Sequence, residues 1–400
     1  MTVILAVAAM TSVSLGQFQW EWQKTAPWKK SGRVVFANGR FFALGTGPYL
    51  SSSADGISWD SVKVGPDVTA KSALTYGHAG YALACQTGDV WVSPDGAAWT
   101  KQHSLSGEAG SFLSAAYGNG LYVASGYSAG AKPMAWLLTS SDAATWTKRS
   151  LDSALCCFTA VIFAKAKFVA VGADSRVRGL TMASTDGLTW TDMTGESDRL
   201  RNELWSVAQG SDRFVALGQN GGCLVSNDGD SWTRGDTGLT DDFQSIAYGN
   251  GNFVGIGENR IFRSPDGISW NVQDFSSTRG VRYVAFGNNR FVALGASDSV
   301  LISKAPEVSA HRASGGSHAR LTMEFSVRSG TLHVGLPSGI DGKSSVLACH
   351  DVSGKRAVAM RLSAGSTQVA CDVGRLPAGR YVLSLTDGRA SERITFLITR

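Results

Sequence analysis

The sequence predicts an all-β chain: a seven-bladed β-propeller over residues 17–308, followed by a small C-terminal β-sandwich over residues 321–400. Two recurrences and one compositional bias carry that prediction. A phrase of the form Ser-x-Asp-Gly-x-x-Trp ends at Trp59, Trp99, Trp190, Trp232 and Trp270, and a copy lacking its glycine runs from Ser140 to Trp146. Successive tryptophans are 40, 47, 44, 42 and 38 residues apart, which is the length of a four-stranded propeller blade. The second recurrence is an aromatic in a Phe-Val-Ala-Leu-Gly context, at Phe41, Tyr81, Tyr122, Phe168, Phe214, Phe253 and Phe291. The bias is glycine, 47 of 400 residues, in a chain that is 43% hydrophobic and 17% charged. That composition suits short strands joined by tight turns.

Residues 1–16 are expected to be a secretory signal peptide. Val3-Ile4-Leu5-Ala6-Val7-Ala8-Ala9-Met10 is apolar and too short to span a bilayer, and small residues lead to a cut after Gly16. The competing reading is an ordinary buried strand. With the leader removed, the mature chain carries no transmembrane anchor, and the expected location is secreted or on the outer cell surface.

Phe18 to Lys24 alternates like a strand, and Trp22-Gln23-Lys24 matches Trp99-Thr100-Lys101 and Trp146-Thr147-Lys148. The seventh unit, from Val281 to Ser303, has a strand-B aromatic but no phrase after it. The N-terminal segment is therefore expected to supply its fourth strand, so that the ring closes with both chain ends and leaves no sheet edge exposed.

Within each unit, strand A is of the Val34-Val35-Phe36 type. Asn38-Gly39, Asn119-Gly120 and Asn250-Gly251 mark the A–B hairpin turns. Strand B carries the aromatic, strand C ends at the serine of the phrase, and strand D opens at its tryptophan. In the phrase itself, Asp-Gly is a tight turn: Gly accepts positive φ, and the Asp and Ser side chains bind nearby backbone N–H groups. The tryptophan packs on neighbouring strands.

These phrases resemble the Asp-box (BNR) repeat of sialidase-like propellers, shortened by one residue between Asp and Trp. The resemblance implies a folding role for the box on the C–D hairpin. Sialidases of that family are six-bladed and use an arginine triad with a Tyr–Glu pair and an Asp, which have no counterpart here. Seven-bladed box propellers such as photosystem assembly factors bind proteins without chemistry.

Functional residues are expected on the face formed by the D–A connections and B–C loops, which vary most between copies. There Trp28, Tyr127 and Trp136 are candidate stacking surfaces for a glycan or polysaccharide, and Arg176, Arg178 and Arg279 are candidate partners for its acidic groups. The alternative is a glycoside hydrolase with two carboxylates ~5 to 9 Å apart, drawn from Glu196, Asp198, Glu203, Asp241 and Asp242. A protein-binding scaffold is the third reading.

The net charge of +5, with no Lys/Arg run interleaved with aromatics, argues against nucleic acid as a partner. No Cys-x-x-Cys or His-Glu-x-x-His spacing supports a metal, no phosphate loop or Gly-x-Ser-x-Gly is present, and no cofactor is expected. Cys85 and Cys223 fall in strands and read as small buried hydrophobes. Cys349 and Cys371, alone in the last segment, are either bonded or free in an exported chain.

After Pro306 the repeat stops, and residues 309–320 read as a linker. From about Leu321 the chain resembles the C-terminal sorting domain of type IX secretion cargo. The likeness rests on Asp351-Val352-Ser353-Gly354-Lys355 and Leu376-Pro377-Ala378-Gly379-Arg380-Tyr381. It implies the type IX secretion machinery as a partner, with this domain either removed on export or used for surface attachment. An accessory carbohydrate-binding sandwich is the alternative.

Overall fold

In the computed structural model, Trp20–Ser303 forms one compact unit of seven four-stranded antiparallel sheets, the seven blades of a β-propeller. The structure describes most of residues 20–303 and the strands of 324–398. Outside the description lie residues 1–19, 24–30, 105–109, 129–133, 152–154, 196–197, 258–259, 275–279, 296–299 and 304–323, the single positions 67, 69 and 87, and the segments joining the later strands. The expected signal peptide and linker, Trp28, Glu196, Arg279, residues 352–355 of the first sorting-like turn and 376–378 of the second fall there.

Blades 1 to 6 span residues 31–63, 71–104, 110–150, 155–192, 204–234 and 245–274, each with its strands in chain order A-B-C-D. Blade 7 takes strands A to C from Val281–Gly287, Arg290–Gly295 and Val300–Ser303, and its fourth strand is Trp20–Gln23. Trp20 pairs with Ser303, and Gln23 with Val300. The expected closure is therefore present, with Trp20 rather than Trp22 in the place of the missing box tryptophan. Its ring lies 6.3 Å from Phe291, against 6.2 Å for Trp99 and Tyr81 and 6.2 Å for Trp232 and Phe214.

The core lies between neighbouring blades, because each sheet buries both faces. Phe42, Leu50, Tyr81, Leu83 and Trp91 share one cluster across blades 1 and 2, and Val34, Phe41, Val292 and Ile302 share another across blades 1 and 7. Each strand-B aromatic also meets its strand-A counterpart across the hairpin. Phe36–Phe41, Tyr76–Tyr81, Tyr117–Tyr122, Phe163–Phe168, Tyr248–Phe253 and Phe286–Phe291 all have ring centroids 4.6–4.9 Å apart. In blade 5 the strand-A position is Gln209, opposite Phe214.

The recurring phrase folds the same way in each copy. In blade 6, Ser264 Oγ donates to Asp266 Oδ1 at 2.9 Å and accepts the Gly267 N–H at 2.7 Å. Asp266 Oδ1 accepts the N–H groups of Ile268 and Ser269 at 2.9 and 2.8 Å, and the Trp270 indole donates to Gly267 O at 3.2 Å. Gly267 has φ +76, and a Cβ there would fall 2.3 Å from the Val215 side chain of the preceding blade. The glycine thus serves both the turn and the close blade-to-blade approach. In the copy without glycine, Ala143 itself takes φ 59.

In blades 1, 3, 4, 6 and 7 the A–B turn is left-handed at both central residues, as in Asn38 (φ 46) and Gly39 (φ 74), which is the twist that suits a two-residue hairpin. Their asparagines reach the next blade: Asn119 Nδ2 donates to Thr185 O at 2.9 Å, and Asn288 Nδ2 to Gly39 O at 2.9 Å across the closure.

The later strands form a separate unit of two sheets. One contains Glu324–Arg328, Thr331–Gly335 and Gln368–Asp372; the other contains Arg356–Arg361, Val346–Asp351, Gly379–Thr386 and Ser391–Ile398. Cys349 and Cys371 lie on different sheets. No helix among the described residues is long and apolar enough to cross a membrane.

Candidate functional site

The strand order brings the D–A connections and B–C loops together on one face, opposite the box turns. In the sector of blades 4 to 6, polar contacts hold this face together. At the end of strand B of blade 4, Asp174 Oδ1 accepts the backbone N–H groups of Arg176 and Arg178, both at 2.9 Å, and folds the loop back on itself. Its Oδ2 accepts Arg178 Nε at 2.9 Å and stands 3.7 Å from Arg199 Nη1. Burial opposes the ionised Asp174, but these backbone and guanidinium partners outweigh it and hold its carboxyl below the usual value. Arg199 also pairs with Asp192, and the Arg234 guanidinium caps the carbonyls of Asp198 and Arg199. The charged residues of this sector brace the connection into blade 5.

Most of the candidate carboxylates have local partners. Glu203 accepts the Trp205 indole N–H at 3.0 Å. Asp241 pairs with Arg260 at 3.3 Å. Asp242 accepts the N–H of Asn220 at 2.8 Å, holding that residue at φ 52 in the turn Gln219–Gly221. Asp198 is half-buried, and its N–H closes a turn onto Gly195 O at 3.0 Å. These contacts fix loops.

The proposed aromatic and basic residues divide. Trp136 is only 3% exposed; it packs edge-on against Phe112 at 5.0 Å, under Gly126. This corrects the expectation of a stacking surface, because neither ring face is open to a sugar. Arg178 is likewise committed, to Asp174 at 2.8 Å. Tyr127 stays half-buried at the end of its strand, and Arg176 is exposed. Around them the rim exposes Tyr49 (56%), Met134 (41%) and Val177 (47%).

The seven A strands enclose an axial cavity of about 500 Å3. Three serine bridges tie their inner ends together: Ser114 Oγ accepts Val161 N–H at 3.1 Å, Ser206 Oγ accepts Ile246 N–H at 3.2 Å, and Ser245 Oγ accepts Val284 N–H at 3.2 Å. Arg33 and Tyr283 also line this cavity, and the sequence reading missed both. The signal lay in register: three residues before the last aromatic of strand A stand Ala73, Ser114, Ala160 and Ser245, but Arg33 and Tyr283 in blades 1 and 7. Among the described residues, no group of three or more His, Cys, Asp or Glu is placed to hold a metal.

No protein-family model matches the chain, and no curated protein does. Solved structures do. The structure described as YCF48 bound to D1 peptide matches with a TM-score of 0.54 at 15% identity, covering 72% of this chain and 98% of that one. The chain is a seven-bladed β-propeller. PorZ, a surface component of the type-IX secretion system of the human oral bacterium Porphyromonas gingivalis, matches with a TM-score of 0.53 at 12% identity. That match covers 94% of this chain, which spans 61% of PorZ. The WD40 β-propeller domain of Doa1 gives a TM-score of 0.55 at 11% identity, over 72% of this chain and 97% of that one. At such identities the likeness establishes the fold.

Proposed function

We propose that the chain is an exported, cell-surface β-propeller whose loop-rich face docks a segment of another protein. The observation that carries this reading is the character of the rim. Exposed Tyr49, Met134 and Val177 sit with exposed Arg176 among the loops of blades 1, 3 and 4, while the described candidate carboxylates serve structural contacts. Apolar side chains with an unshielded guanidinium suit a protein surface. A propeller of similar fold with a bound D1 peptide supports it. The export part rests on the apolar N-terminus, the sorting-like C-terminal motifs and the fold shared with a type-IX surface component. Under this reading the Ser-x-Asp-Gly turns belong to the Asp-box class and act as folding devices.

Glycan binding is the second reading, favoured by half-buried Tyr127 and exposed Arg176 at the B–C ends of adjacent blades 3 and 4. A photocrosslinking residue placed at Val177 or Met134, compared with Leu188 on the opposite box-turn face, tests the proposal on intact cells. Discrete protein adducts from the first two positions and none from Leu188 are expected. Glycan-array binding lost in Tyr127→Ala, without protein adducts, would replace it with the glycan reading. Reducing-sugar release abolished by Glu203→Gln or Asp241→Asn would establish a hydrolase.

A further inference from the structure

The axial cavity has a polarity of its own. At the end nearer the loop-rich face, Arg33 extends from blade 1 past blade 2 and donates from Nη1 to the carbonyl of Leu113 in blade 3. Leu113 stands where the register of that hairpin slips, between Phe112 and Ser114. The Arg33 guanidinium also lies 5.3 Å from the centroid of the Tyr283 ring in blade 7. A carbonyl and an aromatic face are both neutral partners. Among the described residues that line the cavity, Arg33 is the one charged side chain, and no carboxylate joins it.

A guanidinium has five N–H donors in a planar fork, so one bond to a carbonyl leaves donors available toward the cavity. A partly buried cation without a counter-ion is costly, and the cost falls when an anion completes the fork. Beyond Arg33 the lining carries the apolar Val35, Leu74, Ile162 and Val207 beside Thr75, and passes a collar that includes Phe36, Tyr117 and Phe286 before it reaches Asn38. Three residues of extended strand separate Arg33 from Phe36, a depth of about 10 Å.

We infer that the axial cavity binds an amphipathic carboxylate, its head group on Arg33 beside Tyr283 and its apolar tail along the A strands toward the aromatic collar. One cation favours a single negative charge over a phosphate dianion, and the depth matches a medium-length acyl or aryl chain. A free organic acid and the C-terminal carboxylate of an apolar peptide share this chemistry. The inference is independent of what the outer rim docks, since it uses none of the rim residues.

Calorimetric titration of the full chain with octanoate, octylamine and octanol tests the charge requirement. Saturable binding of octanoate at low-millimolar or tighter affinity is expected, with octylamine and octanol weaker by about tenfold or more. A short Leu-terminated peptide with a free or an amidated C-terminus separates the two sources. A preference for the free acid peptide over octanoate assigns the site to a chain terminus, and the reverse assigns it to a free acid. Arg33→Gln is expected to lose at least about tenfold in octanoate affinity, and Tyr283→Phe to lose less.

Arg33 also bridges blades, so a variant that fails to fold is replaced by photolabelling the native protein with a diazirine fatty acid. Labelled peptides should contain A-strand residues that line the cavity, such as 33–36, 74–76, 160–163 or 283–286. Equal binding of octanoate and octylamine, unchanged affinity in folded Arg33→Gln, or labels confined to residues outside the cavity-lining A strands would overturn the inference. So would the absence of any saturable carboxylate binding.

Discussion

Trp20 and Phe291, 271 positions apart in the chain, stand with ring centroids 6.3 Å apart. Trp190 and Phe168, only 22 positions apart and in one blade, keep the same 6.3 Å. The seventh blade is thus completed by a residue from the other end of the chain, in the geometry that the box tryptophans set elsewhere.

Trp20→Ala should therefore loosen the ring at its seam. The side chain is half-buried, so a loss of about 2–3 kcal/mol is expected, below the range for a fully buried tryptophan. Chemical denaturation reads it directly. Glu21→Ala, one residue along and exposed, should change stability by less than about 0.5 kcal/mol. Equal stability of Trp20→Ala and the parent chain would show that the seam does not depend on this contact.

A methyl group should be unfavourable at the left-handed turn positions, most of all where the next blade lies close. Gly267→Ala places a Cβ 2.3 Å from Val215 at φ +76, combining left-handed strain with overpacking, for a loss of about 2–4 kcal/mol. Ala143 already sits at φ 59, and Ala143→Gly should relieve strain and gain up to about 1 kcal/mol. Gly251→Ala, at φ +71 with no atom within 4 Å of the new Cβ, should cost about 1–2 kcal/mol, the strain alone. A thermal-shift series should place Gly267→Ala lowest, Gly251→Ala between it and the parent chain, and Ala143→Gly above the parent.

The box aspartates should make the propeller acid-sensitive in a defined window. Backbone N–H groups of Ser231 and Asp230, with Ser226, hold the Asp228 carboxyl down to about 2. Similar donors hold Asp186 and Asp142 at about 2. A folded pKa depressed below the unfolded value contributes stability that is complete above about 3.8 and lost as pH falls toward about 2. Melting temperature followed from pH 5 down through that window should drop less steeply in Asp228→Asn than in the parent chain. General acid repulsion affects both chains and cancels in the difference. Parallel curves would show that the turn does not store this pH dependence.

Blade number, closure and turn positions were legible in the sequence because each rests on a local rule repeated along the chain. Asp-Gly and Asn-Gly need left-handed backbone wherever they occur, and the strand-B aromatics recur at blade spacing. Seven such anchors against six box tryptophans required a strand from elsewhere. What a repeat cannot specify is which side chains the closed ring consumes. Trp136 lies beside a variable loop and reads as a binding platform, but it is strand C of blade 3 that turns it inward onto Phe112. Glu203, Asp241 and Asp242 read as a carboxylate cluster, whereas Trp205, Arg260 and Asn220 take them up only once blades 5 and 6 have folded. Arg33 and Tyr283 are 250 positions apart in sequence and carry no local signal of their own. Ring closure alone brings the first and last blades side by side and puts the guanidinium against the ring. Local backbone preference determined the blades from sequence; side-chain partnership between distant blades was decided by the tertiary fold.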